Sequence, residues 1–370
     1  MKLILWMIWA FAIFTVVRIV WTFHLFDFAI YYQAVRDLQH SISMYQDPSI
    51  AMKYPMSAMV ILAPIAWMPY VVAEKLWTVL SLLAMAGSLW MMVKILPQVT
   101  KREWSWIVAL IVLSFPYKFT LGMGQINFVI LACLVGSLYG YLRKSDGWAG
   151  ILLAIAAWIK ITPLVLLLFY LKKRKYKTIV VALATYLAGW VMAGEIWGYA
   201  LVKEFVFEVI PSISTLGNEV YYNQALTGLL ARLGVGDNIA GIINYLSLAV
   251  MLGMGYIVTP RDRREPKLEL LSFGMLVTAM ILGSGLAWQH YFVWLLIPYL
   301  GAYAVWSEQR ETKVWMGVAL AISYVLVALN IKNPADCQFW HGVALSHVTY
   351  GTLILGVVGY VLARKAQVYK

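Results

Sequence analysis

The residues of this chain that can do chemistry are few, and each one interrupts apolar sequence. Asp27 stands between Phe26 and Phe28 just past the first apolar run and is followed by Tyr31, Tyr32 and Arg36. Tyr54 precedes Pro55, Gln125 and Asn127 lie in GMGQINF, Lys160 in WIKITP, Asn223 and Arg232 in YYNQALTGLLARL, and His290 in AWQHYF. A carboxylate flanked by aromatic rings is desolvated, which raises its pKa towards the range of a general base. If the residues after it are helical, Tyr31 lies one turn on. Lys160, between Ile159 and Ile161, is a compact cation of the kind that holds a phosphate. GMGQINF joins a glycine turn to amide donors and acceptors, and His290 beside Trp288 and Tyr291 can meet a phosphate or a sugar hydroxyl.

Plainer readings stand beside these. Asp27 can be a helix cap or interfacial anchor, and Lys160 a snorkelling lysine at the end of a short helix. The Gln125 to Asn127 stretch can be an interhelix turn, Asn223 and Arg232 ordinary polarity of an interfacial helix, and His290 part of an aromatic belt. The five histidines are scattered, with no His, Cys and carboxylate cluster at ligand spacing, so no metal and no other cofactor is expected. There is no phosphate-cradling glycine loop and no nucleophile elbow.

The elements that must position these residues are membrane helices. With 62% hydrophobic and 12% charged residues, the chain cannot cover itself with a water-facing surface. Apolar runs of ~20 residues recur from end to end, which predicts an all-α, polytopic transmembrane protein rather than a barrel of short alternating strands. Spans are expected at 3–22, 72–94, 104–121, 127–142, 178–197, 239–258, 268–286, 291–306, 314–331 and 343–363, with an outer loop over 23–71 whose apolar piece YPMSAMVILAPIAWMP, broken by Pro55, Pro64 and Pro69, reads as interfacial or re-entrant, and a hairpin of two short helices over 147–171 interrupted by Lys160 and Pro163. That makes about twelve helices in one integral membrane domain over 1–370, of which 1–200 read as the catalytic-type module and 201–370 as variable C-terminal helices. The net charge of +12 collects in stretches such as KKRKYK and RDRREPK, which the positive-inside tendency places on the cytoplasmic rim of a plasma membrane, against anionic lipid rather than nucleic acid. Both termini are then cytoplasmic, and the candidate residues converge on the outer face. Cys133 and Cys337 are not expected to pair.

Taken in order, FDFAIYYQA, KYPMSAMVILAPIAWMP, GMGQINFVILACL, GWAGILLAIAAWIKITPLVLLLFYL followed by KKRKYK, YYNQALTGLLARL and GSGLAWQHYFVWLLIP resemble glycosyltransferase family 87. These are polyprenyl-phosphate-mannose-dependent mannosyltransferases of the C-type glycosyltransferase superfamily. The block from Gln125 and Asn127 to Lys160 and Pro163 is the most specific part, and Met56 stands where the family more often has a second proline. The resemblance implies the C-type architecture, with Asp27 as general base on the first outer loop. It implies a polyprenyl-phosphate sugar donor, most simply mannose, and a glycolipid or glycan acceptor. Lys160, Arg232 and His290 are then candidates to stabilise the leaving phosphate, with Gln125, Asn127 and Asn223 orienting sugar or phosphate and Tyr31, Tyr32, Arg36 and Tyr54 lining the donor site. The competing classes are a lipid or sugar transporter or flippase, whose ionisable residues would sit near midplane on broken helices, a non-catalytic scaffold, and a transferase of the same fold using another sugar such as arabinofuranose.

Overall fold

A computed structural model of the chain describes residues 2–22, 24–45, 52–213, 220–262, 265–308, 314–331 and 339–368. Among them all regular structure is helical apart from one isolated antiparallel bridge, Asn223 to Trp288. Cys337, residues 46–51 of the expected outer loop, and Arg263 and Arg264 of the second basic stretch lie outside the described residues.

The first helix, α1 (Lys2–Thr22), has 21 residues, and at 1.5 Å per residue it reaches ~31 Å, the full depth of a hydrocarbon core. It is followed by α2 (Phe26–Gln39), which buries Phe28, Tyr31, Ala34, Val35 and Leu38 along one face. The short α3 (Met56–Leu62) and a 3-10 turn at Ala63–Trp67 follow in the stretch expected to be a loop, before the long α4 (Tyr70–Ile95). A capping box between Thr100 and Glu103 starts α5 (Lys101–Leu113). Extended backbone at Ser114, with Pro116 just beyond, bends the chain by 57° into α6 (Phe115–Met123). Then come α7 (Asn127–Leu142), α8 (Asp146–Ile159), α9 (Leu167–Lys172), α10 (Tyr176–Trp197), α11 (Tyr199–Glu204), α12 (Ile210–Ile213) and α13 (Leu226–Arg232). The chain closes with α14 (Asp237–Val258), α15 (Pro266–Leu282), α16 (Leu296–Ser307), α17 (Val314–Ala328), α18 (Phe339–Leu345) and α19 (His347–Val368).

Five stretches, Leu5–Gln39, Tyr70–Ile95, Tyr176–Trp197, Asp237–Val258 and His347–Gln367, are long and apolar enough to cross a membrane, or six if the bent pair of α5 and α6 is one span. Large apolar side chains on them point outward, Trp21 (87% exposed) and Val180 (65%) among them, as lipid-facing surface requires. The sequence reading expects about twelve. Several of the others fall on shorter apolar helices, α8 with 14 residues and α17 with 15, which at 1.5 Å per residue reach only ~21–23 Å. Inside the bundle α7 packs between α4 and α8, and α8 lies on α10. That last contact is backbone-close, because a Cβ on Gly150 would fall 2.6 Å from the carbonyl oxygen of Thr178. Lys173, from the basic run read as a lipid-touching rim, is instead buried and paired with Glu269 at 2.7 Å, tying the end of α9 to α15.

Candidate active site

Three local features bring α2 against the turn between α6 and α7. Glu74 of α4, a polar residue the sequence reading passes over, accepts from the backbone N–H of Leu25 at 3.3 Å and so receives the start of α2. Gly124 ends α6 at φ +69, and a Cβ there would sit 2.8 Å from that of Leu25 and 2.9 Å from that of Phe28. Only glycine fits both the left-handed backbone and this approach. Trp77 fixes the turn by donating from Nε1 to the Gly124 carbonyl at 2.6 Å and stacks on Phe28.

The result is that Gln125 Nε2 donates to Asp27 Oδ2 at 2.5 Å. Asp27 is half-buried, and burial pushes its carboxyl up to about 6 against the lowering effects of the Gln125 hydrogen bond and the Lys160 charge. Gln125 Oε1 lies 2.9 Å from the Tyr31 hydroxyl, 3.1 Å from that of Tyr54 and 3.2 Å from Nδ2 of Asn127. Lys160 is the residue at which α8 breaks, with extended backbone before the 3-10 turn that contains Pro163. Its ammonium is buried 3.0 Å from the ring centroid of Tyr291, 5.2 Å from Tyr54 and 5.3 Å from Trp294, and donates to Asn127 Oδ1 at 3.3 Å.

These groups wall a cavity of about 620 Å³. Asp27, Tyr31, Tyr54, Gln125, Lys160 and His290 line it, and Asn127 stands behind Lys160. The His290 ring lies between Phe119 and Trp288, and its Nδ1 is buried with no hydrogen-bond partner among the described residues. Most of the remaining wall is apolar, with Phe26, Ile30, Phe119, Phe205, Met280 and Ile281, and Thr162 and Ser284 add hydroxyls. Lys53, which no sequence argument singled out although it precedes Tyr54 directly, is a second cation on the wall, and burial lowers its pKa. Tyr291 and Trp294 were missed too, because aromatic residues in an apolar run carry no polar signal; their 3-10 turn (Gln289–Leu295) aims them at Lys160.

Besides Asn127, four predicted residues do not reach the cavity wall. Tyr32 donates to the Met68 carbonyl, and Arg36 is exposed at the end of α2, reaching Gln39. Asn223 Oδ1 accepts from the backbone of Ala225 and Ala287, and Arg232 donates to the carbonyls of Val220 and Asn223 and to the hydroxyl of Ser346. These two brace the strand-like pairing of Tyr222 to Gln224 with Ala287 to Gln289, which in turn sets Trp288 and His290. Among the described residues no three His, Cys, Asp or Glu side chains gather as metal ligands. A second cavity, about 520 Å³ between the α5 and α6 elbow, α16 and α17, has no charged residue on its wall.

Fold and cavity together define a helical membrane protein with one carboxylate, two lysines and a histidine around a largely apolar chamber. The chain belongs to glycosyltransferase family 87, whose model matches residues 52–285, and it is a glycosyltransferase. Asp27 and His290 fall outside that matched stretch. Curated relatives include the polyprenol-phosphate-mannose-dependent alpha-(1-2)-phosphatidylinositol mannoside mannosyltransferase of Mycolicibacterium smegmatis, 24% identical over 85% of this chain and 77% of the relative. The Mycobacterium tuberculosis protein of the same name is 23% identical over 83% and 75%. A polyprenol-phosphate-mannose-dependent alpha-(1-2)-phosphatidylinositol pentamannoside mannosyltransferase of M. smegmatis is 23% identical over 83% and 76%. No solved structure matches the chain.

Proposed function

We propose that this protein transfers mannose from a polyprenyl-phosphate donor to a hydroxyl of a glycolipid or glycan acceptor, with inversion at the anomeric carbon. The observation that carries this reading is that a base-range carboxylate, Asp27, and a buried lysine, Lys160, face one chamber whose wall is largely apolar. The names of the curated relatives support the donor and favour a glycolipid acceptor. In the reaction the acceptor oxygen forms a bond to the anomeric carbon from one side while the bond from that carbon to the phosphate oxygen breaks on the other. The hydroxyl proton goes to Asp27, and the bond electrons leave with the phosphate, whose growing charge Lys160, Lys53 and His290 meet. Positioned cations take the place of a divalent ion. Phe26, Ile30, Met280 and Ile281 offer the first isoprene units an apolar wall.

The architecture that goes with this reading is the C-type one, crossing a plasma membrane about twelve times with both termini in the cytoplasm and the chamber on the outer face. The short helices cross as packed or re-entrant pieces, which the membrane tolerates where protein surrounds them. The test is transfer of labelled mannose from polyprenyl-phosphate-mannose to a membrane lipid extract by purified protein in detergent, native against Asp27→Asn. The native chain transfers label, with EDTA present or absent, and the variant binds donor without transferring. Equal transfer by both would remove Asp27 from the mechanism, and transfer from an arabinofuranosyl donor alone would change the sugar.

A further inference from the structure

The chamber has one feature that neither the sequence motifs nor the family assigns. Its base and its cation are joined by a hydrogen-bond chain with a single sense. Lys160 Nζ donates to Asn127 Oδ1 at 3.3 Å, Asn127 Nδ2 donates to Gln125 Oε1 at 3.2 Å, and Gln125 Nε2 donates to Asp27 Oδ2 at 2.5 Å. An ionised carboxylate can only accept, so Asp27 fixes the Gln125 NH₂ towards itself, and that in turn sets the Asn127 NH₂ towards Gln125 Oε1 and the Asn127 oxygen towards the Lys160 donor. The tyrosines are compatible with that choice. The hydroxyls of Tyr31 and Tyr54 are 3.1 Å apart, and both reach Gln125 Oε1. Each has one hydrogen, so either both point at Oε1 or one points at the other hydroxyl, which then points at Oε1. In either arrangement that oxygen is occupied, and a flipped Gln125 would set its oxygen against Asp27 and its NH₂ against the NH₂ of Asn127.

We infer that Gln125 and Asn127 are positioning residues for Asp27: the amide pair links the carboxylate to the Lys160 donor, holding Oδ2 in a hydrogen bond and leaving Oδ1 to take the acceptor proton. This rests on the proposed function above, and it reassigns two amides otherwise taken to touch sugar or phosphate. Asn127 is fully buried and does not line the chamber, so contact with substrate does not explain its side chain. The spacing of the motif follows: Gly124 turns the chain against α2, Gln125 meets the base, and Asn127, first residue of α7, meets the lysine. A hydrogen bond given to the ionised form of an acid favours that form, so the chain keeps Asp27 ionised at a lower pH than its burial alone would permit. The titratable and charged groups around Asp27 are Tyr31 on its own helix, Lys53 and Tyr54 before α3, Lys160 at the end of α8, and His290 and Tyr291 on the 3-10 turn before α16.

The test uses the full chain in detergent and compares native protein, Gln125→Met and Asn127→Leu, which keep approximate size and lose the polar atoms. Steady-state transfer is measured against pH and donor concentration. Losing a hydrogen bond to a charged group lowers kcat roughly ten- to hundredfold in Gln125→Met, moves the acid limb to higher pH and leaves the donor KM unchanged. Asn127→Leu shifts the same two quantities in the same direction by less. Raised KM with an unmoved acid limb would overturn the inference and return the amides to substrate binding. If Gln125→Met does not fold, the double variant Tyr31→Phe/Tyr54→Phe is read in the same way, an unmoved limb again overturning it. A readout independent of activity separates this from the proposed function: the infrared band of the protonated Asp27 carboxyl, identified by its absence in Asp27→Asn, titrates at higher pH in Gln125→Met even if no donor is turned over. An unchanged titration sinks the inference alone, whereas no transfer by native protein sinks the proposed function.

Discussion

Replacing Lys160 by methionine separates what its charge does for chemistry from what that charge costs the fold. The side chain is 7% exposed, and its ammonium is held against Tyr291, Tyr54 and Trp294 rather than by a carboxylate at ion-pair distance among the described residues. Taking an ammonium out of water costs several kcal/mol, of which a desolvated cation–π contact returns about 2 kcal/mol or more. An unbranched apolar side chain of similar reach removes the penalty and keeps the packing. The thermal midpoint of Lys160→Met should therefore equal or exceed the native one. Catalysis should move the other way, since a group aimed at a developing anion is worth roughly 100- to 1,000-fold in kcat, about 2.7–4 kcal/mol. The assay is labelled-mannose transfer at saturating donor, with unfolding followed by tryptophan fluorescence on the same preparations. A kcat within about threefold of native would refute the reasoning, because a cation facing the leaving oxygen is worth far more than that. A variant that unfolds early would equally show that the aromatic cage needs the charge for stability.

Three further outcomes follow from the geometry. With the Asp27 carboxyl pushed up to about 6, the base is protonated below that pH and free above it, so kcat/KM should fall as pH drops through about 6 and hold steady above; a rate unchanged down to the ordinary carboxylate range would contradict this. Gly124→Ala meets a left-handed backbone and two Cβ atoms closer than 3 Å, so it should destabilise by about 2–4 kcal/mol and lose transfer by parting Gln125 from Asp27, measured by thermal midpoint and kcat together. Glu269→Gln removes the countercharge of a Lys173 ammonium whose side chain is 1% exposed and should cost about 3–5 kcal/mol, while the double change Lys173→Met/Glu269→Leu should recover most of it in the same unfolding measurement.

The sequence by itself determined the class of environment and which isolated polar residues stand out in it. An excess of apolar residues can be stable only in a bilayer, and against that background each isolated polar residue is a visible exception. Asp27, Tyr31, Tyr54, Gln125, Lys160 and His290 were legible for that reason, and all six line one chamber. Where helices start and stop was also largely local: α1, α4 and α10 match their expected spans to within about two residues, because apolar runs bounded by charge or proline need no distant partner. What only the tertiary structure decided is who meets whom. Tyr291 and Trp294 could not be told from any other aromatic residue of an apolar helix until folding laid them over Lys160, more than a hundred positions away in sequence. Arg232 and Asn223 looked as much like site residues as His290 did, yet Asn223 holds the backbone of Ala225 and Ala287, and Arg232 holds the carbonyls of Val220 and Asn223 and the Ser346 hydroxyl. Lys173 read as one charge in a rim of charges until Glu269 of α15 was placed against it. Polarity is a property of a residue and can be read along one dimension, whereas the sense of a hydrogen bond, or the cost of a buried charge, belongs to a pair and exists only once the chain has brought both members together.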